Sequence, residues 1–170
     1  MESKLETQRF ELRSISPSQD SFENYLSWMQ NSESNPFIQG VNVDLSTLDL
    51  VEYVSQKNVS ETALLLGIFV IADGTHIGNI KLEPVYPRKS ATIGILIGEE
   101  SWRGEGVGFE VISRVLEFCF MDLELEFVEL GVNKNNSRAI RLYESLGFIE
   151  SNQEPNSSES IRMLISKSLL

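Results

Sequence analysis

An α+β fold, with helices laid over a largely antiparallel sheet, is what this 170-residue sequence predicts. Three observations lead there. Segments rich in β-branched and aromatic residues are interleaved with segments of helical period in the order β α α β β β α β α β β, not the strict alternation of a doubly wound sheet. Asp73-Gly74 joins two of the β-rich segments as a tight hairpin, and a hairpin makes its strands antiparallel. The stretch Ala91 to Met121 reads strand, glycine loop, helix, with Arg103-x-x-Gly106-x-Gly108 where the helix begins.

Thr7 to Ser14 sets Phe10 and Leu12 between charged residues and reads as the first strand. Ser16-Pro17-Ser18-Gln19 offers a cap, a proline at the first helical position and a capping-box glutamine. A helix is expected from there to about Asn31, with Phe22, Tyr25, Leu26 and Met29 at helical spacing. After a loop over Asn35 to Leu45, Ser46 or Thr47 caps a second helix to about Gln56 that buries Leu48, Val51 and Val54. Ala63 to Ala72 and Thr75 to Glu83 form the hairpin, and Pro84 and Pro87 break the chain before the strand Ala91 to Gly98. The next helix carries Val111, Val115 and Phe118 on one stripe and Ile112, Leu116 and Cys119 on the next, a face broad enough to cover a sheet. Phe127 to Val132 is a strand, Asn136 caps a helix ending near Leu146-Gly147, and Phe148 opens a short strand. Ile161 to Lys167 forms the last strand, after the polar loop Asn152 to Ser160.

No segment reaches the roughly 20 apolar residues of a membrane span. The first residues, MESKLETQRF, lack the apolar run behind a basic start that marks a secretory signal. A soluble, cytoplasmic protein of one domain, residues 1–170, is expected. The formal charge of −11 opposes binding to nucleic acid or an anionic membrane, both of which need Lys and Arg to neutralise phosphate. It suits a cationic partner, and it also simply keeps a protein soluble. Cys119 is the only cysteine, which excludes an intrachain disulfide, and its apolar neighbours mark a buried thiol rather than a nucleophile. His76, the only histidine, reads as a surface residue of the hairpin's second strand. Without clustered His and Cys ligands no metal site is expected.

The first turn of a helix presents amide N–H groups that lack carbonyl partners, at the positive end of the helix dipole. A diphosphate fits there. Glycine at 104, 106 and 108 removes the Cβ atoms that would hold a diphosphate away from those amides, and Arg103 can add a fork of donors. A glycine loop that only makes a tight turn looks the same in sequence.

The element order, the loop Trp102-Arg103-Gly104-Glu105-Gly106-Val107-Gly108 and the run Asn136-Ser137-Arg138-Ala139-Ile140-Arg141-Leu142-Tyr143-Glu144-Ser145-Leu146-Gly147-Phe148 together resemble the GNAT superfamily of N-acetyltransferases over nearly the full chain. The segment His76-Ile77-Gly78-Asn79-Ile80-Lys81-Leu82 and the Ile-Gly-Ile-Leu-Ile-Gly strand look like its RimJ/RimL-type branch, which acetylates protein N-termini and, in some members, amino sugars. The resemblance implies an α/β/α sandwich whose central, mostly antiparallel twisted sheet is splayed between its fourth and fifth strands, Thr92 to Gly98 and Phe127 to Val132. It also implies acetyl-CoA as cosubstrate in that opening, with the amides of Ile95, Leu96 and Ile97 on the pantetheine and the thioester carbonyl. The pyrophosphate then falls on the amides from Gly104 through Gly106 and Val107 to Gly108, beside Arg103. Glu105 departs from the basic residue many relatives carry there. Tyr143 matches the family tyrosine proposed to protonate the departing thiolate, although a phenol near pKa 10 gives its proton slightly uphill to a thiol near 8.5. Asn136 matches an asparagine that contacts the cofactor, and a helix cap selects the same residue.

No general base stands out. Glu99, Glu100 and Glu129 flank the two strands but read as structural or solvated, and Thr92 stands where many relatives have an acid. At pH 7 an α-amine of pKa about 7.7 to 8.0 is roughly a tenth neutral, against under a thousandth for lysine. Weak base assistance therefore favours a protein N-terminal α-amine, an amino sugar or another small amine. Tyr25, Trp28 and Phe37 are candidates for the acceptor pocket or for packing. The expected activity is acetyl transfer from acetyl-CoA to a primary amine by direct attack in a ternary complex, in a monomer or homodimer. Two alternatives are a weak or inactive CoA-binding module of the same fold and a nucleotide-binding regulator.

Overall fold

The computed structural model describes residues 4–31, 36–37, 42–85, 88–152 and 157–169. The strands are β1 (Leu5–Glu6), β2 (Phe10–Arg13), β3 (Leu64–Val70), β4 (His76–Val85), β5 (Ser90–Ile97), β6 (Phe127–Asn133), β7 (Ile149–Glu150) and β8 (Ser160–Ser166). The helices are α1 (Glu23–Gln30), α2 (Thr47–Asn58), α3 (Val107–Glu117) and α4 (Ser137–Ser145). This is the expected order with the short β1 added. Hydrogen-bonded neighbours run β1-β2-β3-β4-β5-β6-β8-β7 in an eight-stranded sheet. Pairing is antiparallel at β1–β2, β2–β3, β6–β8 and β7–β8, and parallel at β5–β6. The chain divides into two compact units, Met1–Lys81 with Ile95–Val107 and Leu82–Gly94 with Gly108–Leu170, and β4 and β5 run through both.

In the first unit all seven residues of β3 are buried, as befits a strand covered on both faces. Ile15, Tyr25, Trp28, Leu50, Val54, Leu65 and Phe69 form one apolar cluster that joins α1 and α2 to this strand. The hairpin between β3 and β4 closes with Gly74 at φ +75°, a backbone state glycine enters without strain. Three expectations about these elements need correction. Helix α1 starts at Glu23 rather than after Pro17, because Asp20 is drawn into a turn. Its carboxylate accepts two bonds from the Arg13 guanidinium, each 2.8 Å, and one from the Ser16 amide. Arg13 beside it holds the Asp20 carboxyl below its usual pKa.

Helix α2 does begin at Ser46, where a capping box with Asp49 is complete. Its inward face, however, is Leu50 and Val54, with Val51 half-buried, and Leu48 is 79% exposed. Two residues of helix turn the chain by about 200°, so Leu48 and Leu50 cannot both face the core. Strand β4 also continues through Pro84 to Val85, where a break was expected. Pro87, and parts of the loops over 35–45 and 152–160, lie outside the described residues.

In the second unit the two expected stripes are buried, Val111 and Val115 with Phe118, and Ile112 and Leu116 with Cys119, although α3 ends at Glu117 and Phe118 and Cys119 lie in the π-helical turn Phe118–Asp122 that follows it. The Cys119 thiol is fully buried, and that burial pushes its pKa up to about 12. Val128, Leu130 and Val132 alternate inward along β6, which pairs with β8 over its whole length.

Leu50→Ala should cost about 2–4 kcal/mol of unfolding free energy, whereas Leu48→Ala should stay within about 0.5 kcal/mol. Urea denaturation of the two variants distinguishes the observed face of α2 from the one the sequence suggested.

Candidate active site

The parallel ladder between β5 and β6 has three pairs, Ser90 with Phe127, Ala91 with Val128 and Thr92 with Glu129. Both strands run on, to Ile97 and Asn133, without further pairs in that ladder. The far end of β5 is held instead from the β4 side. The amides of Gly98 and Glu99 both donate to the Ile77 carbonyl, at 2.9 and 3.2 Å, the two-to-one pattern of a β-bulge. Because strand amides alternate, Ile95 and Ile97 turn their N–H groups to the opposite edge, while Leu96 turns toward β4. Of the three amides expected to meet a cofactor, Leu96 is therefore the one turned toward β4.

Three contacts fix this strand end. A Cβ on Gly98 would overlap Cδ2 of Trp28, so only glycine lets the indole ring lie against the backbone. The Trp28 Nε1 donates to Glu99 Oε1 at 3.1 Å. Arg103 donates from Nε to the Ile97 carbonyl and from Nη2 to the Gly98 carbonyl, both at 3.0 Å, and lies 3.9 Å from Glu100. Arg103 was expected to offer its fork to phosphate. In the structure the fork ties the loop to the end of β5.

After a 3-10 turn over Glu100–Trp102, Gly104 and Gly106 take φ of +89° and +77°, and α3 opens at Val107. Both conformations are strained for any side chain. The space beside Gly106 is open, the nearest atom to a Cβ there being Nη2 of Arg9 at 3.7 Å. Val107 buries its side chain, so only its backbone is presented. Gly108 has a different reason to be glycine: a Cβ would meet Leu142 of α4 at 2.7 Å, so it serves helix packing within the second unit. The Glu105 side chain is exposed, and its carbonyl accepts from Arg9 Nη2 at 2.9 Å. The Arg9 guanidinium also lies over the rings of Phe10 and Trp102, at 4.9 and 5.9 Å from their centroids. Sequence reading passed over Arg9, since a charged residue in an alternating strand is what a solvated strand face also carries.

In the second unit, Asn136 accepts from the Ala139 amide at 3.2 Å and so caps α4. Tyr143 is 8% exposed, packs edge-on to Phe148 at 5.8 Å, and burial pushes its phenol up to about 12. None of the three glutamates weighed as bases stands alone: Glu99 holds Trp28, Glu100 faces Arg103, and Glu129 lies 3.6 Å from Arg162. Thr92 is exposed.

His76 is buried, not a surface residue. Its ring stacks on Phe69 at 4.7 Å, the Arg13 guanidinium covers Phe69 at 3.6 Å, and Tyr25 and Trp28 approach edge-on. Nε2 lies 2.8 Å from Asn79 Oδ1 and 3.0 Å from the Gly78 carbonyl, two acceptors, which assigns the proton to Nε2. Burial lowers its pKa. Tyr25 thus belongs to the packing, Trp28 both packs in the cluster and lines a groove, and Phe37 is exposed. That groove, of about 430 Å³, has Trp28 and Gly98 in its wall together with Ser27, Asn31, Glu99 and Glu100. Among the described residues no three His, Cys, Asp or Glu are grouped to hold a metal ion, and no helix is long and apolar enough to cross a membrane.

The family model of the acetyltransferase (GNAT) domain matches residues 9–149, and the chain belongs to that family. It is 30% identical over 105 residues to the spermidine N(1)-acetyltransferase of Vibrio cholerae serotype O1 (strain ATCC 39315 / El Tor Inaba N16961), a match that covers 61% of this chain and 60% of that enzyme. The chain thus spans about 60% of the length of this curated relative. The solved spermidine N-acetyltransferase from Vibrio cholerae in complex with CoA and spermine superposes with a TM-score of 0.78 at 22% identity, over 94% of this chain and 96% of that one. Mycobacterium smegmatis RimJ in complex with CoA-disulfide gives 0.79 at 17% identity, over 99% and 88%. The expected sandwich is therefore the observed fold, and the RimJ type is one of several kinds of neighbour.

The buried imidazole fixes a pH dependence. A folded-state pKa below the unfolded value of about 6.5 means the unfolded chain binds the extra proton first, so stability is complete above about pH 6.5 and falls as pH drops toward the folded pKa. The slope should not exceed about 1.4 kcal/mol per pH unit. Urea midpoints between pH 8 and 5 should show this fall in the native protein and its absence in His76→Gln.

Proposed function

We propose that this chain is a single-domain N-acetyltransferase, residues 1–170, which moves the acetyl group of acetyl-CoA to a primary amine by direct attack in a ternary complex. The observation that carries the reading is the loop Arg103–Val107. Its two glycines at positive φ open a helix N-terminus, with space beside Gly106 and the acidic side chain of Glu105 turned out to solvent. Those features fit a diphosphate, which needs backbone donors and close approach rather than an adjacent carboxylate. Bound there, acetyl-CoA supplies an acyl group already activated as a thioester. The amides of Ile95 and Ile97 are the donors for an extended pantetheine and for the thioester oxygen. Asn136 caps its helix whether or not it also touches cofactor.

Tyr143 remains the residue assigned to the leaving sulfur, with a role its environment narrows. A phenol at about 12 opposite a thiol near 8.5 makes full proton transfer uphill by roughly 5 kcal/mol. Tyr143 therefore keeps its proton and donates a hydrogen bond. With Glu99, Glu100 and Glu129 all engaged, the amine loses its proton to water, which favours acceptors with a sizeable neutral fraction. The charge of −11 and the carboxylates beside the Trp28 groove favour a cationic acceptor, a small amine or a protein N-terminus. Spermidine, after which the Vibrio cholerae relative is named, is cationic and meets the charge preference, whereas its lysine-like alkyl amines do not meet the preference for a neutral fraction, which an α-amine or an amino sugar meets better. A cytoplasmic setting is part of the same reading.

The engaged glutamates also favour a second reading, a CoA-binding module without turnover. An amine panel assayed for CoA release decides between them, since robust turnover that falls in Tyr143→Phe excludes the passive module.

Calorimetry should show CoA binding to the native chain, and absence of heat at near-millimolar ligand would remove the proposal. Tyr143→Phe should lower kcat by about three- to thirtyfold with little change in cofactor affinity. Gly106→Val should weaken CoA binding at least about tenfold, because valine resists positive φ and fills the space beside the amides.

A further inference from the structure

Arg9 lies 96 positions before Glu105 in the chain, yet its Nη2 donates to the Glu105 carbonyl at 2.9 Å, in the middle of the glycine loop. A trans peptide points its C=O and the following N–H in opposite directions. Holding the Glu105 carbonyl toward Arg9 therefore turns the Gly106 amide the other way, away from Arg9. A guanidinium on the carbonyl also draws electron density through the peptide and strengthens that N–H as a donor. The positive φ of Gly106 is the conformation in which the chain accepts this orientation.

The arginine is itself braced. Phe10 and Trp102 meet edge to face at 5.5 Å, and the guanidinium lies over both. Arg103, the arginine that the loop motif advertises, is turned back onto Ile97 and Gly98. The positive charge beside Gly106 comes instead from Arg9, in the bend just before β2.

We infer that Arg9 is the positioning residue of the diphosphate loop: by fixing the Glu105–Gly106 peptide it presents the Gly106 amide to the diphosphate of CoA and supplies the cation that offsets the Glu105 carboxylate. This inference rests on the CoA-binding reading above. It assigns Arg9 to the diphosphate alone, neither to the acyl group nor to the acceptor.

Arg9→Gln tests it. Calorimetric Kd for CoA should rise at least about tenfold, and by the same factor for dephospho-CoA, which keeps the diphosphate and lacks the 3′-phosphate. In turnover the KM for acetyl-CoA should rise by a like factor with kcat within about twofold. The KM for acetyl-pantetheine, which has no diphosphate, should stay within about twofold of the native value. Arg9→Lys, which keeps the charge and an ammonium donor but loses the planar fork, should fall between native and Arg9→Gln. Equal losses with acetyl-CoA and acetyl-pantetheine would overturn the assignment, as would a loss seen with CoA but not with dephospho-CoA, or no loss at all. If Arg9→Gln does not fold, Trp102→Leu removes the brace instead. It should weaken CoA about threefold with acetyl-pantetheine unaffected, and an unchanged Kd there counts against the inference. A native chain that binds no CoA defeats the functional reading itself, a result distinct from all of these.

Discussion

The fixed end of β5 is the constraint on which the rest of the first unit's architecture depends. The bulge at Gly98–Glu99 doubles two amides onto Ile77, and Arg103 takes the last two carbonyls of the strand region. With both kinds of backbone group satisfied, the strand stops at a defined point and the chain turns at once into the glycine loop. Trp28 seals the arrangement by lying flat against Gly98, a contact that any larger residue would prevent. The amide direction at Ile95 and Ile97, the start of α3 and the path of Gly104–Gly106 all follow from where this strand ends.

Much of the fold was legible because it rests on local signals of known period. The buried stripes of α3, the Asp73-Gly74 turn, the Ser46 cap and the Asn136 cap each depend on residues a few positions apart, and each appears where those residues place it. What escaped was decided at a distance. Asp20 is claimed by Arg13, which delays α1, and no pattern within residues 16–22 encodes that competition. Leu48 and Leu50 differ only in which of two angles faces β3, and hydrophobicity alone does not choose. The same holds in the candidate site. Three glycines in the loop look alike in sequence, but two are there for their backbone angles and Gly108 for its approach to Leu142. Arg103, inside the loop motif, is turned back onto the end of β5, while Arg9, distant in sequence, reaches the Glu105 carbonyl.

The acidic surface and the aromatic interior divide the electrostatics between them. Carboxylates dominate the composition, yet the groups nearest the strand end and loop are mostly paired, so the −11 charge acts at long range more than by any single contact. Inside the first unit, Phe69 lies between the Arg13 guanidinium and the His76 imidazole. A second cation across the same ring is unfavourable, which agrees with the neutral histidine that burial alone already requires.

The isolation of Cys119 has a practical corollary. A thiol with no exposed surface and a pKa near 12 is almost wholly protonated and unreachable in the native chain. Reagents that colour on meeting free sulfhydryl groups will thus stay silent on the intact polypeptide, and any signal from it becomes a gauge of how many molecules have come apart.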